Sequence, residues 1–326
     1  MDTPIVIVGA GLSGLVAART LLDEGHRTLV VDKARSVGGR LATRQIGPAT
    51  LDHGAQFFTV RSDEFRHHVD SWIDAGIVES WCEGFDQIDG YPRYRVNGGM
   101  SQLARHLAIG LDVVAGVRAQ SIIFDGEGWV VSYDGGSRVP DQASGLISTA
   151  PVPETLAVLA SGGVGLGQHR DGLEALRYHR VIALLVTTAT SPDLGHAGAL
   201  QQPDHPTFSF VADNAQKGIS ATPALTFHTS HELSAELWDL DDAAIQARLV
   251  PEAATVAGVS PDDFGDVQIK KWRYSGPVVP WPERCLMLRE DPAPLVMAGD
   301  AFGGPKVEGA FLSGRAAGIA VADLLS

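Results

Sequence analysis

The apolar positions at 5–8 form an unbroken run, and glycines follow at once at 9, 11 and 14. An apolar run bounded by glycine predicts a strand buried on both faces. From Leu15 the apolar positions recur at helical spacing through Ala18 and Leu22, and Gly25 stands where a helix C-cap belongs. A second apolar run, residues 28–31, ends in Asp32. Residues 62–81 predict an amphipathic helix, with Ser62-Asp63 at its start and Phe65, Val69, Trp72 and Ile73 as apolar positions. Ser101 is placed to cap a helix running from Leu103 to Leu111. Residues 112–117, 119–124 and 129–133 alternate like antiparallel strands, with turns at Gly126, Gly128 and Gly135-Gly136. Residues 146–149 predict a short buried strand, followed by Ala150-Pro151-Val152-Pro153 and a helix to Leu159. Beyond it the pattern predicts strands at 181–187, 208–212, 224–229 and 268–274, and a helix near 241–257. The chain closes with a buried strand at 295–298, a turn at Gly303-Gly304-Pro305, and a small-residue helix beginning near Val307.

Composition changes this picture little. The 326 residues suit about two domains. Twenty-five basic against 39 acidic residues give a net charge of −14, which argues against nucleic acid or an anionic membrane as the main partner. Cys82 and Cys285 are far apart and outside metal spacing, which suits a reducing, cytoplasmic setting. The N-terminus leads straight into a strand without a basic leader, and no apolar run approaches the ~18 residues of a membrane span. The histidines show no HExxH or tight HxH spacing. His67-His68 face different ways on a helix, and Asp239, Asp241 and Asp242 read as helix capping, so no metal is expected.

The candidate chemistry lies at the two ends of the chain. Gly9, Gly11 and Gly14 form GxGxxG between a strand and a helix, the context that motif requires for dinucleotide binding. Gly9 makes the turn, Gly11 admits a pyrophosphate, and Gly14 closes the helix onto the strand, with Leu12 and Ser13 at the helix start. Asp32 is spaced to accept from a ribose hydroxyl. Lys33 and then Gly38-Gly39-Arg40 follow, and this glycine pair can fold back over the same pyrophosphate while Arg40 supplies a forked donor. In the segment LDHGAQFFTVR, Gln56 can hydrogen-bond and Phe57 and Phe58 can wall a pocket. Near the C-terminus, Gly299-Asp300 ends a strand, and the next helix carries Gly309, Ala310, Ser313 and Gly314.

Together VGAGLSGLVAA, VVDKARSVGGRLATR, LDHGAQFFTVR, NGGMSQLARHL, the Thr149-Ala150-Pro151 strand end, KKWRY and GDAFGGPKVEGAFLSG resemble the flavin-containing amine oxidoreductase superfamily, and within it the renalase-like branch. Asp32-Lys33 is similar to bacterial renalases, whereas Phe57 stands where a bacterial relative commonly has Tyr and so lacks a hydroxyl. The resemblance implies an α/β fold like that of p-hydroxybenzoate hydroxylase. Its Rossmann-like FAD-binding domain would comprise residues 1–61, 96–158 and 292–326, and its inserted antiparallel-sheet substrate domain residues 62–95 and 159–291. It implies non-covalent FAD, held by Gly9, Gly11, Leu12, Ser13, Gly14, Asp32, Lys33, Gly38, Gly39, Arg40, Gln56, Phe57, Gly98, Gly99, Met100, Val117, Gly299, Asp300, Val307, Glu308, Gly309 and Ala310. Phe57, Phe58, Thr59, Arg61, Trp272 and Tyr274 would line the substrate pocket, with Arg61 toward the substrate's phosphates. The implied reaction oxidises 2- or 6-dihydro-NAD(P) to NAD(P)+, and oxygen reoxidises the flavin to give hydrogen peroxide. Such a substrate becomes aromatic on losing hydride, so no general base is expected. A flavin amine oxidase, with Lys270, Lys271 or Lys306 near the flavin, or another FAD-dependent oxidoreductase of the same superfamily is the alternative, and a non-catalytic flavin-binding protein the second.

Overall fold

The computed structural model describes residues 3–134, 139–304 and 306–325. The chain divides into unit 1, Met1–Gly39, Ala104–Arg177 and Gly276–Ser326, and unit 2, Arg40–Leu103 and Tyr178–Ser275.

Unit 1 is built on a six-stranded sheet in the order Leu286–Arg289, Leu295–Met297, Gly145–Ser148, Ile5–Val8, Thr28–Asp32, Val113–Ala115. Every pairing is parallel except that of the first two strands. The strand Ile5–Val8 lies in the middle with Val6 and Ile7 wholly buried, as its unbroken apolar run requires. The helix Leu12–Asp23 packs on the C-terminal helix Lys306–Leu325 through glycine. A Cβ at Gly314 would overlap the Ser13 carbonyl, and one at Gly318 would come 2.7 Å from Thr20 Cβ. A smaller antiparallel sheet orders Gln142–Ala143, Trp129–Tyr133, Ala119–Phe124. The expected turn at Gly135-Gly136 and Pro305 of the C-terminal turn lie outside the described residues.

Unit 2 has a five-stranded sheet in the order Ala199–Gln201, Phe208–Asp213, Ala224–Thr229, Tyr178–Thr188, Phe264–Pro277. The helix Asp242–Ala257 is capped by Asp241, whose carboxylate accepts from Ala244 N. It buries Ile245, Leu249 and Ala253 in the cluster that holds Ile182, Leu184, Leu225 and Phe227 of the sheet. The expected helix at 62–81 ends at Asp74, and Val78–Cys82 instead pairs with Arg93–Val96 as a hairpin.

The unit boundaries depart from the expected ones. Residues 40–61 and 96–103 belong to unit 2, because the hairpin Thr43–Ile46 and Ala49–Asp52 buries Ile46 and Leu51 against Ala183, Leu185 and Ala224. Residues 159–177 and 276–291 belong to unit 1, where Leu286–Arg289 adds the antiparallel edge of the parallel sheet.

Candidate functional site

In unit 1 the chain leaves the strand Ile5–Val8 through Gly9, whose φ of +110° favours glycine. A Cβ there would lie 2.6 Å from Thr149 Oγ1, and one at Gly14 would overlap the Gly9 carbonyl. Gly11 differs: a Cβ there meets nothing within 4 Å. It begins the helix without a capping side chain, so the helix's first amides keep their donor capacity toward an anion. Ser13 Oγ is buried beside them and has no hydrogen-bond partner. Gly38 N donates to Ala10 O at 2.8 Å, and Gly39 lies against the Gly11 Cα, so the glycine pair folds back on the same turn. Asp32 Oδ2 accepts from Ala10 N and Oδ1 from Ala34 N, both at 2.7 Å. Those two bonds fix the carboxylate and leave lone pairs for ribose hydroxyls.

Other expected nucleotide contacts in unit 1 have partners of their own. Lys33 forms an exposed ion pair with Glu154 at 2.5 Å. The Val117 amide donates to Asp32 O. Gly299 (φ +126°) donates its amide to Ser313 Oγ at 2.8 Å, and Asp300 is buried beside it. Val307 and Gly309 are buried in the C-terminal helix, and Glu308 and Ala310 are half-buried. A Cβ at Gly309 would overlap the Gly304 carbonyl.

Unit 2 carries a second polar centre, and its hub is Asp52. The Asp52 carboxylate is wholly buried and accepts from Thr43 Oγ1 at 2.6 Å, Met100 N at 2.8 Å and Lys217 Nζ at 2.7 Å. Lys217 is wholly buried too, and its ammonium lies 5.3 Å from the Trp81 ring centre. Burial lowers the Lys217 pKa, and Asp52 pulls it back up. Of the expected cofactor residues, Gly99 and Met100 are organised around this carboxylate, while Gly98 turns beside the Gln102 side chain. A Cβ at Gly99 would come 2.6 Å from Thr43 Cγ2, and the Met100 side chain is fully buried.

Above Asp52 the chain turns through His53 and Gln56. The His53 ring stacks on Trp272 at 5.3 Å, and Trp272 Nε1 donates to His53 O at 2.6 Å. Lys270 Nζ lies 5.2 Å from the Trp272 ring centre. Burial holds His53 down at about 3, helped by Arg44, Lys270 and His228. Burial likewise holds His228 at about 4, opposed by the His53 backbone and aided by Lys217. Lys270 is lowered by burial and by Arg44. Both imidazoles are therefore neutral at pH 7.

The structure separates the expected pocket residues. Phe57 is half-buried and packs with Trp81, Phe85 and Phe210. Phe58, at 3% exposure, stacks on Tyr94 and meets Phe65 in the core. Thr59 is half-buried and Arg61 exposed. Tyr274 packs edge-on to Tyr178, and its carbonyl accepts from Arg40 Nη1 at 3.1 Å. Of the three candidate lysines, Lys271 donates to Trp238 O and Leu240 O, Lys306 is exposed at the start of its helix, and Lys270 lies over the Trp272 ring. Among the described residues no group of three or more His, Cys, Asp or Glu could hold a metal. The sequence pattern singles out none of Asp52, His53, Lys217 and His228 as a functional residue.

The family profile of flavin containing amine oxidoreductases matches residues 79–321, and that of NAD(P)-binding Rossmann-like domains matches residues 7–72. The chain belongs to the flavin-containing amine oxidoreductase family. It is thus an oxidoreductase of a family whose cofactor is a flavin. Putrescine oxidase of Kocuria rosea is 36% identical over 70 residues, 22% of this chain and 15% of that protein. A decarboxylating 4-hydroxybenzoate brominase of Pseudoalteromonas luteoviolacea is 35% identical over 135 residues, 41% of this chain and 22% of its own. AofH of Mycobacterium tuberculosis is 41% identical over 59 residues, which cover 13% of its length. The matched stretches therefore span well under a quarter of these relatives. Among solved structures, cyclohexylamine oxidase of Brevibacterium oxydans shares the fold over the whole of both chains, with TM-score 0.74 at 14% identity. A putrescine oxidase bound to putrescine aligns over 98% of both chains, with TM-score 0.66 at 16% identity. Among the described residues no helix is long and apolar enough to cross a membrane.

Proposed function

We propose that this chain is an FAD-dependent oxidase of the renalase-like branch, acting on 2- or 6-dihydro-NAD(P). It would release NAD(P)+ and, with oxygen as acceptor, hydrogen peroxide. In this reading the FAD is held without a covalent bond. The residues that fit it are the bare helix start at Gly11, the unpartnered Ser13 hydroxyl and the pinned Asp32 carboxylate. Bound FAD supplies the two-electron acceptor, and the protein's share of the work is binding, orientation and electrostatics.

One observation carries the choice of substrate. The charged side chains acting on His53 are Arg44 and Lys270, both cationic, His228 beside it is neutral, and the Asp52 carboxylate is neutralised by Lys217. A positive and neutral-imidazole surrounding disfavours an ammonium substrate and favours one that carries phosphates. Unit 2 would then take the dinucleotide, with His53, Trp272 and Phe57 supplying flat surfaces and no base removing a proton.

A second reading, an amine oxidase, has Lys270 in its favour, since its lowered pKa and its place on the Trp272 ring suit a lysine held near a flavin. Anaerobic mixing of the yellow holoprotein with 2- or 6-dihydro-NAD(P), ordinary NADH and a panel of primary amines separates the two. The proposal expects fast loss of visible flavin absorbance with the dihydro isomers and none with amines. Fast bleaching by amines alone contradicts it, and bleaching by no small donor would mark a non-catalytic flavin protein.

A further inference from the structure

Among the described residues of unit 2, four buried side-chain polar atoms have no hydrogen-bond partner; one is Arg93 Nε, and the other three, His53 Nδ1, Gln56 Oε1 and His228 Nε2, lie around one turn. His53 and Gln56 are each only 6% exposed. Buried polar groups are nearly always paired, so such a set marks a place built to meet something else.

The three lie around one peptide. Gln56 Nε2 donates to Asp52 O at 2.7 Å and to Gly54 O at 3.2 Å, which fixes the amide and leaves its oxygen as the unsatisfied group. Thr226 Oγ1 donates to the same Asp52 carbonyl at 2.8 Å. Residues 226 and 228 share one face of the strand Ala224–Thr229, which brings the His228 ring to this turn. The charge influence of His228 on His53 and the hydrogen-bonding influence of the His53 backbone on His228 agree with that placement. Flat apolar walls adjoin the set: Trp272 stacks on His53, and the Phe210 ring lies 6.4 Å from that of His228.

The chemistry of these atoms is selective. Gln56 Oε1 only accepts, so it requires an N–H. Each neutral imidazole brings one N–H and one lone pair. A carboxylate cannot donate to Gln56, and an ammonium cannot accept from an imidazole N–H. A primary carboxamide does both and is uncharged.

We propose that His53, Gln56 and His228 recognise the primary carboxamide of a planar ring ligand, and so select nicotinamide-type compounds over their acid, ketone and amine counterparts. This deepens the reading above and rests on it. Gln56 thereby becomes a specificity-determining residue for the substrate.

The test is calorimetric titration of the flavin-loaded protein with NAD+, nicotinic acid adenine dinucleotide and 3-acetylpyridine adenine dinucleotide, alongside free nicotinamide and nicotinate. NAD+ is expected to bind about tenfold or more tightly than either analogue, since each leaves a buried group unpaired. With ¹⁵N-labelled histidine, NAD+ should move two ring signals, one absent in His53→Phe and the other in His228→Phe. Gln56→Leu should bring NAD+ and the acetylpyridine analogue close to parity while the visible flavin spectrum stays the same. If instead Gln56→Leu shifts that spectrum and keeps the discrimination, the set serves the bound cofactor and the proposal falls. The analogue series needs no variant, so it decides the matter even where Gln56→Leu does not fold. Oxidation of dihydronicotinamide dinucleotides without discrimination among the analogues would overturn the carboxamide role and leave the proposed function standing. Failure of dinucleotides to bind or react, with nicotinamide still preferred to nicotinate, would do the reverse.

Discussion

In unit 1 the candidate site is made of backbone amides bared by glycine within one short stretch of chain. In unit 2 the polar centre is made of side chains drawn from distant segments, as in the pair Asp52–Lys217, 165 residues apart. The first arrangement needs little more than a tight turn and the start of a helix. The second needs the hairpin Ala49–Asp52, the strand Ala224–Thr229 and the loop at Lys217 all in place before any one of its bonds forms. A cradle of amides accepts any pyrophosphate, whereas a buried set of named side chains can discriminate. On the proposed reading, binding the cofactor and choosing the substrate are thus built from different materials.

The comparison breaks most visibly at Lys217. Lys217→Met leaves the buried Asp52 carboxylate without its cation, which should cost about 3–5 kcal/mol in urea denaturation. Asp52→Asn with Lys217→Met should recover much of that loss. If the single variant costs less than ~1 kcal/mol, Asp52 is no hub.

A pH series reaches the same unit through its histidines. In the folded chain His53 lies at about 3 and His228 at about 4, both below the ordinary 6.5. Below pH 6.5 the unfolded chain therefore takes up protons that the folded chain refuses. This contribution to stability is full above pH 6.5 and declines as the pH falls toward 4, by about 1.4 kcal/mol per pH unit for each histidine. Urea midpoints above pH 7 and near pH 5 should show the decline in the native chain and a flatter profile in His53→Phe/His228→Phe.

Smaller effects sharpen unit 1. Gly14→Ala forces a Cβ into the Gly9 carbonyl and should cost about 1–3 kcal/mol of stability, with loss of bound flavin. Gly11→Ala has open space and a φ of −74°, so its melting point should hold while its flavin affinity drops. Equal losses of stability in the two variants would erase the distinction between a packing glycine and a binding one. Asp32→Asn should weaken flavin binding by about 1–2 kcal/mol, read as the flavin dissociation constant.

The same contrast explains what could be read from the sequence. Gly9, Gly11, Gly14, Asp32 and Gly38-Gly39 lie within thirty-odd residues, and each follows from a local backbone demand, so spacing alone located them. The strands 5–8, 28–32 and 224–229 were legible as apolar runs, and the helix Asp242–Ala257 from its acidic cap. His53 gave no such signal, because its low basicity arises from Trp272, Arg44, Lys270 and His228 across the fold. Lys217 stands in a polar stretch that carries no signal of burial, and it is wholly buried. The pair Phe57-Phe58 does not say which ring faces the core; the backbone pairing of Phe58 with Tyr94 does. The unit boundary at Arg40 was hidden as well, since it is set by packing of the hairpin on a sheet more than a hundred residues further along.

The central claim is that the charge of unit 2 chooses the ligand while unit 1 holds the flavin. Lys270→Glu tests it most directly, with the anaerobic affinity for a 6-dihydronicotinamide dinucleotide measured at low salt. The account predicts unchanged flavin content and a dissociation constant raised about tenfold or more, with the change shrinking as salt is added. An unaltered dissociation constant, or an equal loss for an uncharged nicotinamide fragment, would contradict it.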